Sequence, residues 1–445
     1  MRELTKGSIT KGLIYFMLPI LAGSLIQQLY NTVDIILVGK FVGDHATASI
    51  GASSLIVTCM IGFFNGMMVG TNVIAAQIFG SGNREKLKKT VQTVFAFGIL
   101  GGLALMVIGL LLTPTFLRWM NTPDVIFEQA VSYLRIYLLS IVSIVLYNLT
   151  SGISRAVGDS STPMVVQLIG GFINVVVDIF LIVGLNMGVV GAAVATFFSQ
   201  TVAALILVHQ IQTKLVGGNF FACFKAFDSN LLSQIMKIGI PSGVQAMIMT
   251  FSNIIIQTQI NSFPVDAITA FTAFFKIEMV MYLPVIAMGQ AVVSFVGQNY
   301  GAKQLDRAKK GVRTGMITGC LLLIGLSTFM MIFIRPAFGI FSESASVIDY
   351  GVQITSIMFP LYFIDMILEC LSAEIRGFGQ AFWPMVCTVF SFVVVRLASL
   401  FILLSIHREV RMISMVYPIS WTSAILLLLI YRSIFMKKNK IYENK

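Results

Sequence analysis

The chain has 445 residues, 57% of them hydrophobic and only 11% charged, with a mean hydropathy of +0.90. Soluble domains carry roughly 25% charged residues, so this composition excludes a water-soluble fold and makes the bilayer the solvent. The formal net charge of +11 would suit a nucleic-acid binder, but the basic residues are confined to alternate loops, which that role does not explain.

A membrane-crossing helix needs about 20 apolar residues. Runs of that kind predict spans near residues 13–38, 48–78, 90–112, 125–154, 163–185 and 189–211, then 234–262, 268–297, 312–334, 347–375, 384–405 and 412–435. The runs are long and continuous, unlike the short alternating strands of a β-barrel. The expected fold class is therefore all-α integral membrane, with about twelve transmembrane helices.

Arg2, Lys6 and Lys11 ahead of the first apolar run mimic a signal peptide. No small-residue cleavage site ends the run, which continues through Pro19, Gln27 and Asn31 to Val38 and reads as a retained helix. Gln27, Asn31 and Asp34 are spaced i, i+4, i+7 and share one face. A carboxylate at bilayer depth is costly and points to function; the blander alternative for Asp34 is interfacial water at the outer end. Pro19 removes a backbone donor and permits a hinge below Asp34.

Arg84, Lys86, Lys88 and Lys89 follow the second span. Lys303, Arg307, Lys309, Lys310 and Arg313 follow the eighth, and Lys437, Lys438, Lys440 and Lys445 form the tail. The intervening loops carry few basic residues, such as Lys40, Arg118 and Arg335. This positive-inside pattern predicts cytoplasmic termini, hence an even number of spans in the plasma (inner) membrane.

In the fifth span Asn174 and Asp178 are i, i+4 neighbours, and Thr196 follows in the sixth. With Asp34 they offer two carboxylates, an amide and a hydroxyl, oxygens that suit Na+. A pair of carboxylates can equally trade a proton, and a structural hydrogen-bonded pair is the remaining alternative. The seventh span carries Gln245, Met249, Asn253, Gln257 and Asn261 at four-residue intervals, an uncharged polar stripe after Pro241. Met247, Met249, Met279, Met281 and Met288 add pliable thioethers nearby. Gln27, Asn31, Gln245, Met249, Asn253 and Gln257 are thus the substrate-cavity candidates. Asp365 and Glu369 of the tenth span, again i, i+4, are secondary acidic candidates or partners of Lys276 or Arg396. Glu278, two residues from Lys276, is a weaker third.

The chain is two copies of one design. AQIFGSGNREKLKK after the second span answers GQNYGAKQLDRAKK after the eighth. An offset of 221 links Gln77 with Gln298, Gly80 with Gly301, Lys88 with Lys309, Arg155 with Arg376, Gly158 with Gly379 and Pro163 with Pro384. Pro19 and Pro241 are offset by 222 and form a pair of candidate hinges. Six spans per copy imply parallel repeats, with sites near the midplane. The expected organisation is an N-terminal lobe over 1–211, a cytoplasmic linker over 212–233 with its GGN sequence, and a C-terminal lobe over 234–445. The offset maps Asp178 onto Ser399 and Asn174 onto Val395, so the coupling chemistry is expected in the first half.

Pro19, YNTVDIILVG, the GQNYG loop, the paired SRAVGD…P and EIRGFG…P segments and N-x-x-x-D…GAAVAT, in this order over essentially the whole chain, resemble the multidrug and toxic compound extrusion (MATE) family. The resemblance implies two six-helix bundles and extrusion of organic, often cationic compounds in exchange for Na+ or H+ by alternating access. Asp34 then matches the family's first-helix acid, and Asn174, Asp178 and Thr196 its first-lobe cation site. Asp365 matches the tenth-helix acid of some members, but their seventh-helix acid is absent from PSGVQAMIMTFSN. No cofactor is expected beyond the coupling ion. The expected partners are small organic cations or amphiphiles and the lipid bilayer, with no nucleic acid, and the chain is expected to act as a monomer.

A flippase for lipid-linked saccharides, from the wider superfamily, is the alternative. Its pyrophosphate cargo favours a basic cavity, whereas only Arg135, Lys276 and Arg396 lie within spans, against at least five acids. An enzyme is not expected: His45, His209 and His407 are far apart, and neither HExxH nor GxSxG occurs. The absence of GxxxxGK[ST] argues against an ATP-driven pump.

Overall fold

A computed structural model describes residues 3–217 and 223–439. Arg2, Lys440, Lys445 and the 218–222 part of the expected linker lie outside the described residues. Among those residues the chain is helical throughout. Eleven helices are long and apolar enough to cross a membrane, and one bent pair supplies a twelfth span.

The first half runs α1 (Ile9–Phe41), α2 (Asp44–Gly80), α3 (Arg84–Trp119), α4 (Asp124–Leu139), α5 (Ile141–Ala156), α6 (Ser161–Asp178) and α7 (Gly188–Ile211). The second runs α8 (Ser229–Ile260), α9 (Val265–Gly301), α10 (Leu305–Ile332), a short α11 (Ile334–Gly339), α12 (Ala345–Gly377), α13 (Phe382–Val389), α14 (Arg396–Ile406) and α15 (Val410–Lys438). π-helical turns follow α6 (Ile179–Gly184) and α7 (Gln212–Val216) and join α13 to α14 (Phe390–Val395). Helix α7 thus carries on into the expected linker as far as Val216.

Local chemistry starts and stops these helices. Asn83 Oδ1 accepts from Lys86 N at 2.9 Å and caps α3. Asp228 Oδ1 accepts from Asn230 N and Leu231 N at the start of α8. The fourth span bends by 45° between α4 and α5 without a proline. There Ser140 N and Oγ both donate to the Tyr137 carbonyl, the kind of hydroxyl back-bonding that bends helices. Its repeat counterpart α12 contains Pro360 and stays continuous.

The repeat reaches into backbone conformation. Gly82 (φ 75) and Lys303 (φ 59) turn left-handed at positions 221 apart, as do Gly158 (φ 81) and Gly379 (φ 91). L-residues avoid that region, so Lys303 keeps a turn that the first half gives to glycine.

The compact units differ from the expected lobes at two places. One unit comprises Leu18–Ile240 and the other Leu4–Met17 with Pro241 onward. The start of α1 therefore belongs with the second half, and the start of α8 with the first. Both changes of unit fall within two residues of Pro19 and Pro241, the candidate hinges. Gly70 explains how α8 enters the first unit. A methyl built on Gly70 would stand 2.7 Å from Gly239 N, so only glycine lets the α2 and α8 backbones approach this closely.

Each unit presents apolar side chains outward, among them Leu100, Val107 and Leu111 on α3 and Leu321 and Ile324 on α10, as a lipid-facing surface requires.

Asp159 fixes the start of α6. Its Oδ1 accepts from Thr162 N at 3.0 Å and its Oδ2 from Thr162 Oγ1 at 2.7 Å, with Lys214 Nζ 3.5 Å away. Burial works against the charge, but the two Thr162 bonds and Lys214 together hold the carboxyl below the ordinary Asp range. A depressed folded-state value stabilises the fold above the unfolded value and is lost as pH falls through the folded one.

Two outcomes are expected. Gly70→Ala should lower the apparent melting temperature in detergent, by the equivalent of about 1–3 kcal/mol for overpacking. Gly325→Ala, whose methyl meets nothing within 4 Å, should leave it unchanged or raise it. Asp159→Asn should be less stable than the parent at neutral pH, and the difference should begin to narrow near the ordinary Asp value of about 4 and vanish only beneath the lower folded-state value. A constant difference across that range would show that the charge is not what stabilises the turn.

Candidate functional site

Within the first unit, Asp34 of α1 and Asp178, the last residue of α6, bring their carboxyls within hydrogen-bonding reach of each other. Asp178 and Asn174 are buried, at 0% and 1% exposure, and Asp34 is half-buried. Helix α6 passes into a π turn directly after Asp178, an interruption often found at functional sites.

The surroundings are layered by the helical repeat. One turn beyond each member of the polar layer Asp34, Asp178 and Thr196 lie Val38, Ile182 and Ala192, which pack together with Ala46 and Val189. This apolar layer closes the site at that end. One turn the other way lie Tyr30, Asn174 and Gln200. Tyr30 Oη accepts from Gln167 Nε2 at 3.0 Å and from Gln200 Nε2 at 3.4 Å. A Cβ on Gly171 would strike the Tyr30 ring, so α1 and α6 meet closely because that position is glycine. Tyr133 of α4 packs against the apolar layer.

Asp34 Oδ1, both oxygens of Asp178 and the Oδ1 of Asn174 accept no hydrogen bond from the protein, and Asn174 Nδ2 donates to none. Buried polar groups are normally paired, so this unpaired cluster marks a candidate site. Thr196 Oγ1 donates to Ala192 O at 3.1 Å, which leaves its oxygen lone pairs free to accept or ligate. Two carboxylates, an amide oxygen and a hydroxyl suit a hard monovalent cation. Among the described residues no group of three or more His, Cys, Asp and Glu could hold a metal ion.

The second unit holds a different arrangement. Arg396, 2% exposed, donates from Nε to Ser420 Oγ at 3.0 Å and from Nη1 to Asn253 Oδ1 at 3.2 Å. Its guanidinium lies 3.9 Å from the Phe392 ring centroid and 4.8 Å from that of Tyr417. Glu278 accepts from Tyr362 Oη at 2.7 Å. Glu369 pairs with Arg376 at 2.5 Å. Of the two partners considered for the α12 acids, Lys276 is exposed and Arg396 bonds Ser420 and Asn253, while Glu369 pairs with Arg376 instead.

The polar candidates fall into separate surroundings. Gln27 is half-buried and Asn31 exposed on α1. On α8 Gln245 is buried and Met249 half-buried, Asn253 is engaged by Arg396, and Gln257 Nε2 donates to Asn261 Oδ1 at 2.9 Å. Spacing alone did not single out Tyr30, Gln167 and Gln200 or the central place of Arg396. The first three continue the polar faces of Asp34, Asn174 and Thr196 by further helical turns, and that signal could have found them.

The MatE family model matches residues 19–180 and again residues 241–402, two copies 222 residues apart. The probable multidrug resistance protein YoeA of Bacillus subtilis (strain 168) is 25% identical over 98% of this chain and 96% of its own length. The multidrug export protein MepA of Staphylococcus aureus (strain NCTC 8325 / PS 47) is 23% identical over 84% and 83%. A solved structure described as the outward-facing conformation of a multidrug resistance MATE family transporter of the MOP superfamily shares the fold. It matches with a TM-score of 0.90 at 22% identity over 98% of both chains. With the family unit matched in both halves and spanning well over half of its length, the chain belongs to the MatE family of membrane transporters.

Proposed function

We propose that this transporter exports organic, often cationic compounds across the plasma membrane in exchange for Na+ or H+, with Asp34, Asn174, Asp178 and Thr196 holding the coupling ion. The names of YoeA and MepA, a multidrug resistance and a multidrug export protein, support the drug half of this reading. The contact between Asp34 and Asp178 carries the ion half.

Two unit charges about 4 Å apart, at an effective dielectric of about 20, repel by about 4 kcal/mol. That is close to three decades in a binding constant. Two carboxyls in contact therefore keep their places only while a proton or a cation lies between them. Loading draws α1 onto α6, and unloading separates them. Pro19 lets the part of α1 that carries Asp34 respond while the start of the helix stays with the second unit. Exchange follows when the drug favours the arrangement that the ion disfavours, a negative coupling between the two ligands. Alternating access, cytoplasmic termini and action as a monomer complete the proposal.

The saccharide-flippase alternative is not favoured. Arg135 and Lys276 are exposed, and the buried Arg396 bonds Ser420 and Asn253, so no basic path for an anionic carrier is assembled from them.

In proteoliposomes with Na+ and H+ gradients imposed separately, ethidium efflux should follow one of the two. Asp34→Asn and Asp178→Asn should each cut the gradient-driven component by at least about tenfold, the size of an ordinary inter-site coupling, while the protein stays monodisperse. Undiminished gradient-driven efflux in both variants would contradict the assignment.

A further inference from the structure

The residues ahead of α1 are held by a built set of contacts within the second unit. Leu4 is 2% exposed, and Gln298 and Asn299, near the end of α9, are fully buried. Leu4 N donates to Gln298 Oε1 at 2.9 Å, and Asn299 Nδ2 donates to Leu4 O at 3.3 Å. Arg307, in the first turn of α10, donates from Nε and Nη2 to Leu4 O at 3.3 and 3.2 Å. The same Nη2 donates to Lys6 O and to Gly7 O, both at 2.9 Å. Gly7 (φ 75) makes the left-handed turn that gathers these carbonyls round one guanidinium. The Leu4 side chain folds back onto α1, where a Cβ on Gly12 would stand 3.9 Å from it. The first half is built differently here. The offset of 221 sets Lys86 against Arg307, Ile78 against Asn299 and Asp228 against Gly7. There Asp228 N donates to Thr93 Oγ1 at 3.1 Å.

From this we infer that Leu4–Gly7 is a strap that fastens the start of α1 to the second unit, and that Arg307 is the positioning residue by which ion loading at Asp34 becomes a bend at Pro19. A guanidinium suits the task, because its donors form a fixed fork and its charge is permanent. Pro19 withholds a backbone donor inside α1 and weakens the helix there. It stands about 22 Å along the helix from Asp34. With the start of α1 held, a displacement of Asp34 concentrates at this weak point and bends the helix. With the start loose, α1 can swing as one rod without bending. The strap itself is independent of ion exchange. Its effect on the antagonism between ion and drug rests on the exchange reading above.

Two measurements on the full-length protein in detergent test this. Lys6 is exposed, so a lysine-specific protease cuts after it once the strap lifts, at a rate that follows the open population. Release of the new N-terminus at Gly7, followed by mass spectrometry, should be at least about tenfold faster in Arg307→Met than in the parent, since charged hydrogen bonds are lost. Arg307→Lys, which keeps a charged donor, should fall between them. Lys310→Met, which removes a neighbouring exposed charge, should match the parent. Equal rates in Arg307→Met and the parent would overturn the strap. Ethidium affinity is then measured by fluorescence polarisation, with Na+ exchanged for choline and at acid against alkaline pH. In the parent it should depend on the coupling ion by at least about fivefold. In Arg307→Met that ratio should fall toward one while the ion-free affinity stays. An unchanged ratio in a protein whose strap is freed would overturn the role assigned to Arg307. A parent whose affinity ignores both ions would contradict the exchange reading, and that role with it, while the cleavage rates still decide the strap. Where Arg307→Met is not recovered folded, Leu4→Ala, which keeps the charge and removes the buried anchor, replaces it in both measurements.

Discussion

A carboxyl on α1 set close to a carboxyl on α6, one helical turn from the buried apolar cluster of Val38, Ile182 and Ala192, is the constraint on which the first unit is organised. Like charges in such a place do not coexist bare. The helices that carry them therefore report whether something positive is present. The features around the pair serve this condition. Gly171 brings α1 against α6, Tyr30 with Gln167 and Gln200 sets the register of α1, α6 and α7, and the Asn174 amide stands beside the acids with no protein partner. The π turn after Asp178 ends the regular helix where the charge sits.

The second half repeats the fold and inverts the chemistry. The same left-handed turns recur at Gly82 and Lys303 and at Gly158 and Gly379, and the family unit matches both halves. Yet the buried charge on the fifth span is a carboxylate in one half and a guanidinium in the other. A parallel repeat gives each half a cavity of similar build. The start of α1 falls in the second unit and the start of α8 in the first, with the changes near Pro19 and Pro241.

Much of this was legible in the sequence because helices in a bilayer obey short-range rules. Apolar runs gave the spans, a constant offset gave the repeat, and i, i+4 spacing placed Asn174 beside Asp178 and Gln27 beside Asn31. What escaped depends on contacts between helices, which spacing along one helix cannot report. The bonds of Arg396 are such a case, because Ser420 and Asn253 lie on two other helices. So is the attachment of Leu4–Met17 to the second unit, where Leu4 N donates to Gln298 Oε1 at 2.9 Å and Arg307 reaches the Leu4, Lys6 and Gly7 carbonyls. The break at Ser140 lacked the usual proline signal and arose from a hydroxyl turning back on its own helix. Residue chemistry groups Asp34 and Asp178 with Asn174 and Thr196, and the family resemblance implies the same set; the approach of the two carboxyls is a contact between helices that spacing cannot report.

The central claim is that the Asp34–Asp178 pair holds a positive ion that a drug expels. The direct measurement is ion release from the purified protein in weakly buffered detergent solution, using a pH indicator for protons and radiolabelled sodium for Na+, on addition of ethidium. The account predicts a stoichiometric release of one of the two ions that is absent from Asp34→Asn and Asp178→Asn. Saturable ethidium binding that releases neither ion, or the same release from both variants, would contradict it.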